Sequence, residues 1–161
     1  MDDIVLAAAM AKKLGVDDSD IIRAIKNLKP VPHRLELIRN GRISIIDDTY
    51  NGNPVGAKRA LEVLMEFDGR RVVVTPGLVE LGKREKEENE ILGKEIANVA
   101  NLALIIGRNG EYIRKGLIEN GFPEENALFF KNLSDAERFF PDLFSPNDAV
   151  LFLNDLPDEL N

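Results

Sequence analysis

Past residue 54 the apolar positions alternate between two periods. Pro54 opens a stretch in which Ala57, Ala60, Leu61 and Leu64 share one helical face, running to Phe67 and closed by Gly69. Arg71-Val72-Val73-Val74-Thr75 follows as an unbroken apolar run of strand type. Helical spacing returns over residues 84–99 through Ile91, Leu92, Ile96 and Val99, and Leu102 to Ile106 is again a strand, ending at Gly107. Residues 110–119 predict a helix stopped by Gly121, Ala127 to Phe130 a short strand, Ser134 to Phe140 a short helix, and Ala149 to Leu153 a last strand. This order implies right-handed crossovers and a mostly parallel sheet with helices on both faces, an α/β fold of Rossmann-like type.

Two further patterns precede it. Residues 35–39 and 42–46 predict strands around Asn40-Gly41, a strong signal for a β-hairpin because a tight turn there needs positive φ. Residues 4–14 predict a helix of small and apolar residues stopped by Gly15. A second helix follows, with Asp17 as N-cap and Ile21, Ile22, Ile25 and Leu28 at helical spacing. Two helices of about three turns each build no core of their own, so residues 1–29 need another surface. Lys29-Pro30-Val31-Pro32 ends the second helix, since a residue before proline avoids the α region. The expected division is a helix pair with its linker at 1–32 and the α/β domain at 33–161.

Composition narrows the chemistry. The 161 residues are 44% hydrophobic and 30% charged, ordinary for a globular chain. There is no cysteine and a single histidine, His33, which excludes disulfides, thiolate nucleophiles, Cys-based metal sites and multi-His sites. A net charge of −7 argues against a broad nucleic-acid footprint. No apolar run approaches membrane-spanning length, and a cytoplasmic location is the expectation.

In open sheets of this kind ligands bind beyond the carboxyl ends of the strands. The densest polar cluster sits at such an end: Asp47-Asp48-Thr49-Tyr50-Asn51-Gly52-Asn53-Pro54. Its two carboxylates, phenol and amides suit a sugar hydroxyl, a base edge or a metal. Helix capping alone accounts for Asn53 and Pro54 but leaves Asp47, Asp48, Tyr50 and Asn51. Arg34 suits a phosphate clamp, although an arginine by itself is more often a surface or hairpin-packing residue. Gly77 to Lys83 fits G-x-x-x-x-G-K between a strand and a helix, but Arg84 stands where a P-loop needs Ser or Thr, and the loop interior is bulky and anionic. The charged run from Lys83 to Glu90 reads as a solvated face with pairs such as Lys86/Glu90, and Phe129, Phe130, Phe139 and Phe140 as core.

Taken in order, Pro30-Val31-Pro32-His33-Arg34-Leu35-Glu36, an Asn-Gly hairpin and Asp47-Asp48-Thr49-Tyr50-Asn51-Gly52-Asn53-Pro54 resemble the entry to the C-terminal domain of Mur ligases. The Asp-Asp-Thr-Tyr-Asn-x-Asn-Pro form is most similar to the branch that joins D-Ala-D-Ala to UDP-MurNAc-tripeptide. Gly77-Leu78-Val79-Glu80-Leu81-Gly82 resembles that branch's Gly-x-Met-x-Glu-Leu-Gly segment. Residues 1–29 look like the last helices of the family's ATP-binding central domain.

The resemblance implies an ATP-dependent amide ligase of peptidoglycan precursor synthesis working through an acyl phosphate. Its partners are small molecules, namely ATP, the UDP-MurNAc-peptide and an amino acid or dipeptide, together with the central and N-terminal domains of the same protein. No nucleic-acid or membrane partner is implied. ATP and Mg²⁺ are expected mainly on that central domain, with no metal ligands here, and the fragment alone is expected to be inactive. By resemblance Arg34 reaches the ATP phosphates as the catalytic arginine. Asp48 binds the ribose, with Tyr50, Asn51 and Asn53 beside the nucleotide. Thr75, Gly77 and Glu80 belong to the acceptor side.

Two departures keep alternatives open. Many relatives of that branch carry Lys-Gly-Ser-Arg after the last strand, where this chain has Asn154-Asp155-Leu156-Pro157, acidic in place of basic. Thr75-Pro76-Gly77-Leu78 also differs from the commoner Leu-Gly-Asp-Met. Another Mur-type or folylpolyglutamate-synthase-like ligase with a different amine is one alternative. A free-standing non-catalytic module binding a nucleotide or amino acid is a second, and a self-contained P-loop NTPase a third.

Overall fold

The computed structural model describes residues 2–29, 31–50 and 52–154, in two compact units, Met1–Val31 and Pro32–Asn161. The first unit is a helix pair, α1 (Asp2–Lys13) and α2 (Asp18–Lys26). Gly15, at φ 85°, lets Val16 N–H reach back to the Ala11 carbonyl and end α1. Asp17 occupies the N-cap position of α2, but its carboxylate accepts no capping bond. Nothing in α2 is buried, and Leu14 is 82% exposed, so the pair has no core of its own.

In the second unit the hairpin β1 (Glu36–Asn40) and β2 (Ile43–Asp48) is followed by α3 (Pro54–Met65), β3 (Arg71–Thr75), α4 (Glu85–Val99), β4 (Leu102–Ile106) and α5 (Gly110–Glu119). Then come β5 (Ala127–Phe130), α6 (Leu133–Glu137), α7 (Phe140–Leu143) and β6 (Ala149–Leu153). The six strands lie in the order β1-β2-β6-β3-β4-β5, all pairs parallel except β1 with β2. The fold expected from the periodicity is therefore the one observed.

Strand side chains alternate between two cores. Val73, Ala103, Ile105, Leu151 and Leu153 pack beneath α3, α4 and α5 with Leu61, Leu64, Leu92, Ile96 and Ile113. Val72, Val74, Leu104, Ile106 and Val150 face the opposite side, covered by Ala136, Phe140, Phe144 and Phe152. At the amino ends of β3 and β6, Asp148 is 2% exposed, accepts two bonds from the Arg70 guanidinium (Nη2–Oδ2 2.6 Å) and takes the Ser145 N–H.

Four local expectations are corrected. The hairpin loop is Gly41-Arg42, with Asn40 paired to Ile43, and Gly41 carries the positive φ of 56°. The helix expected over 134–140 is two short pieces, because Pro141 brings no N–H and starts a new turn. Glu90 pairs with Lys115 on α5 at 2.9 Å, and the i,i+4 pair of this face is Arg84–Glu88. Phe129 and Phe139 are 42% and 51% exposed rather than core, Phe129 beside Gly110 of α5 and Phe139 against the Phe130 ring. Among the described residues no helix is long and apolar enough to cross a membrane.

Candidate functional site

The parallel strands β2, β6 and β3 deliver Asp48, Leu153 and Thr75 to one edge of the sheet, because Asp48 pairs with Leu153 and Val74 with Phe152. Because β6 returns between β2 and β3, the loops after β2 and β3 and the residue after β6 meet at the carboxyl ends of the strands, the end at which open α/β sheets bind ligands.

Asp47 and Asp48 are neighbours on β2 and so point to opposite sides. Asp47 Oδ2 lies 2.9 Å from His33 Nδ1, and its Oδ1 accepts from Thr49 Oγ1 (2.7 Å) and N–H (3.2 Å). Partial burial pushes this carboxyl up, but the bonds from Thr49 and His33 outweigh it and hold it below the ordinary aspartate value. Asp48 Oδ1 accepts the Leu35 N–H at 3.1 Å. Its deeper burial dominates, and Asp48 is raised, against the pull of the Leu35 bond and the Arg34 charge. Two adjacent carboxyls are thus driven apart by their surroundings.

These bonds fold the 33–36 turn onto the end of β2. Tyr50 N–H donates to the His33 carbonyl (3.1 Å), and His33 N–H to Glu36 Oε2 (3.2 Å). His33 and Leu35 both have positive φ, 61° and 50°, a conformation costing about 1–3 kcal/mol each outside glycine. The result is that Arg34, between them, is thrust outward with its guanidinium carbon 4.2 Å from the Tyr50 ring centre. Ring and cation attract by about 0.5–1 kcal/mol at an exposed site, enough to orient the head group while leaving its N–H donors available.

Asn53 caps α3 through Oδ1, which accepts the Gly56 N–H at 2.9 Å, and Pro54 takes the first helical position. Its carbonyl oxygen is therefore already engaged. Asn51 lies outside the described residues, as do Asp155, Leu156 and Pro157.

The loop after β3 is organised from beneath. Thr75 is fully buried and its hydroxyl receives the Gly77 N–H at 3.0 Å. Buried Asn89 accepts the Leu78 N–H (2.8 Å) and donates to the Leu78 (2.8 Å) and Glu85 (2.7 Å) carbonyls, while Asn109 also donates to Leu78 O (3.0 Å). Gly77 sits at φ 84°, and a Cβ there would come within 2.4 Å of Asn89 Oδ1. The loop that fits G-x-x-x-x-G-K thus has the N–H groups of Gly77 and Leu78 already bonded to its own side chains. That overturns the P-loop reading, because a P-loop must offer those amides to phosphate. Thr75 and Gly77 lie beneath the surface, whereas Glu80 is exposed at φ 62°.

Asn154 joins the two loops. It follows β6 at φ 69°, is 2% exposed, donates its N–H to the Asp48 carbonyl (3.0 Å), accepts the Gly52 N–H (2.6 Å) and donates through Nδ2 to the Gly77 carbonyl. Sequence reasoning missed this residue, together with Asn89 and the His33–Asp47 pair. The available signal for Asn154 was an asparagine immediately after a strand, a residue that tolerates left-handed backbone.

A mostly parallel α/β sheet led by a hairpin carries an outward arginine, two adjacent carboxyls and an amide-laced loop together at the carboxyl ends of its strands. The Mur ligase, glutamate ligase domain family matches residues 33–154, and the chain belongs to that family. It is similar to the UDP-N-acetylmuramoyl-tripeptide–D-alanyl-D-alanine ligase of Bacillus subtilis (26% identity, 91% of this chain, 33% of the relative). It is also similar to the UDP-N-acetylmuramoylalanine–D-glutamate ligase of Pelotomaculum thermopropionicum (24%, covering 94% and 31%). The chain spans about a third of the length of these relatives. Among solved structures it resembles MurF from Acinetobacter baumannii (TM-score 0.82, 25% identity, 95% of this chain and 34% of that one). The MurF ligase of Thermotoga maritima in complex with ADP gives a TM-score of 0.73 at 26% identity, covering 91% and 32%.

Proposed function

We propose that residues 33–161 form the C-terminal domain of an ATP-dependent carboxylate–amine ligase of peptidoglycan precursor synthesis, with 1–32 the end of its central domain. The observation that carries this reading is Arg34, held outward over Tyr50 by a strained, hydrogen-bonded turn next to Asp48. In the reaction a substrate carboxylate oxygen attacks the γ-phosphorus of ATP, ADP departs, and an acyl phosphate forms. An amine then attacks the acyl carbon, phosphate leaves, and the amide remains. Arg34 would stabilise charge on the phosphoryl oxygens, a role that suits an always-charged, fork-shaped donor. Asp48 would accept from the ribose hydroxyls, with Tyr50, Asn51 and Asn53 alongside. Glu80, exposed on the loop that Thr75 and Gly77 support from below, would attract the ammonium group of the incoming amine.

Among the described residues no group of three or more His, Cys, Asp and Glu could hold a metal. By the family resemblance, Mg²⁺ and most of the ATP would be held by the rest of the longer protein. The finer reading is that the amine is D-Ala-D-Ala and the carboxylate that of UDP-MurNAc-tripeptide, supported by the Asp-Asp-Thr-Tyr-Asn-x-Asn-Pro motif. The similar identity to a D-glutamate ligase makes an amino acid acceptor the second reading. A cytoplasmic site of action follows from those substrates.

Two experiments test this. In the complete ligase Arg34→Ala should lower ATP-dependent amide formation by about two to three orders of magnitude, as loss of a group aimed at transition-state charge does; near-normal turnover would remove Arg34 from the mechanism. Release of ADP measured across D-Ala-D-Ala, D-glutamate and other amines should show one preferred acceptor, and ATP consumption independent of any amine would defeat the ligase assignment.

A further inference from the structure

We propose that Asn154 is a positioning residue that ties Asp48 and Gly52 to the loop that begins at Gly77, so that they move together. The link stands on geometry alone; its consequence for ligation rests on the reading above. Asn154 is 2% exposed; its backbone N–H bonds the end of β2 at Asp48 O, while its side chain reaches two loops, accepting from Gly52 N–H and donating to Gly77 O. A carboxamide is suited to this bridge because it carries an acceptor and a donor on one planar head. Both of its neighbours are shaped to receive it. A Cβ on Gly52 would lie 2.2 Å from Asn154 Oδ1, so only glycine lets that backbone come close. Gly77 in turn is closed off by Asn89, Ile113 and Asn109, all within 3.1 Å of where its Cβ would be, leaving its carbonyl directed to Asn154. Beyond Gly77 the chain is fixed through Leu78 and then exposes Glu80. Gly52 is therefore tied through one side chain to Gly77, the start of the loop that carries Glu80.

The test separates the two arms of the bridge. Asn154→Asp keeps an acceptor for Gly52 but turns a carboxylate oxygen toward the Gly77 carbonyl, while Asn154→Gly keeps the positive φ and removes both arms. Amide hydrogen exchange of the labelled chain should show Gly77 and Leu78 exchanging about tenfold faster in Asn154→Asp with Gly52 little changed, the effect of losing one buried hydrogen bond. In Asn154→Gly, Gly52, Gly77 and Leu78 should all accelerate, with β3 and β4 unaffected in both. Parent-like exchange at Leu78 in Asn154→Asp, or equal acceleration throughout β3 and β4, would overturn the proposal. Should Asn154→Gly fail to fold, the Asn154→Asp result decides alone. In the complete ligase Asn154→Asp should raise KM for the amine and leave KM for ATP within about twofold. Divided exchange with an unchanged amine KM would uphold the link and instead remove Glu80 from the acceptor site.

Discussion

Helices α4 and α5 touch backbone to backbone, and alanine at Gly116 should break that contact. A Cβ on Gly116 would lie 2.0 Å from the Glu90 carbonyl oxygen and 2.9 Å from the Lys94 nitrogen, and one on Gly93 would lie 2.2 Å from the Ile113 carbonyl oxygen. An ordinary carbon–oxygen approach is about 3.3 Å. The helices must therefore separate by roughly an ångström, and no side-chain rotation relieves a clash with backbone. Such a gap forfeits about a quarter to a half of the dispersion attraction across the seam, where Leu92, Ile96, Ile113 and Leu117 are all fully buried. Overpacking of this kind costs about 3 kcal/mol, the upper end of the usual range. Alanine returns about 1 kcal/mol of helix propensity. The net loss is about 2 kcal/mol, a fall in Tm of roughly 4–8 °C for a chain of this size. Gly56 in α3 is the internal control, since its Cβ would meet nothing nearer than Asn53 at 3.5 Å. Gly56→Ala should raise Tm by about 1–3 °C through propensity alone. Thermal unfolding of the two variants should show opposite signs, and a Gly116→Ala protein melting at or above the parent would refute the close-approach argument.

Asp48→Asn should raise stability at pH 7, because a carboxyl raised by burial favours folding fully only below its unfolded pKa of about 4 and loses that contribution as pH rises through its folded value. The same variant should weaken ADP binding by the complete ligase, and a less stable Asp48→Asn at neutral pH would contradict the sign. Asp47→Asn should do the reverse, since its lowered carboxyl stabilises above the unfolded pKa and loses this as pH falls through the folded value; its deficit in Tm at pH 7 should close below about pH 4. Asn89→Ala should cost about 3 kcal/mol, measured by urea midpoint, because three bonds to buried backbone disappear together; an unchanged midpoint would show the loop is held otherwise.

The elements were legible wherever the local pattern and the tertiary environment agree. Residues 102–106 are apolar throughout because both faces of β4 are covered, and Gly121 ends α5 with a left-handed turn at φ 79°. The hairpin loop was misplaced by one residue because both strands carry consecutive apolar residues, so alternation does not choose between registers. Lys86/Glu90 had the right spacing, but Lys115 arrives from α5 and takes the carboxylate, a competition invisible within one helix. At the site, Arg34 and Asp48 stood out as candidates because each lies inside a motif segment readable by itself, whereas a contact between two segments leaves no such signal. The His33–Asp47 bond spans 14 residues and the Asn154 bonds span 102 and 77. Such contacts exist only once the order β2-β6-β3 has brought three strand ends together.

That same convergence limits what this chain can do to a nucleotide unaided. The amides of Gly77 and Leu78 are bonded internally, so they offer nothing to phosphate. Among the described residues, what remains on the proposed nucleotide side is the oriented Arg34 guanidinium, the half-buried Asp48 carboxyl and the Tyr50 and Asn53 side chains, at a surface where water competes. A few such contacts correspond to a Kd in the millimolar range, about −4 kcal/mol. Titration of ADP into this chain should therefore move amide resonances at 33–36 and 47–50 only slowly with concentration, and leave 77–83 still. Micromolar affinity with shifts centred on Gly82 and Lys83 would refute the argument, since it would require those loop amides to abandon Thr75 and Asn89 for the phosphates.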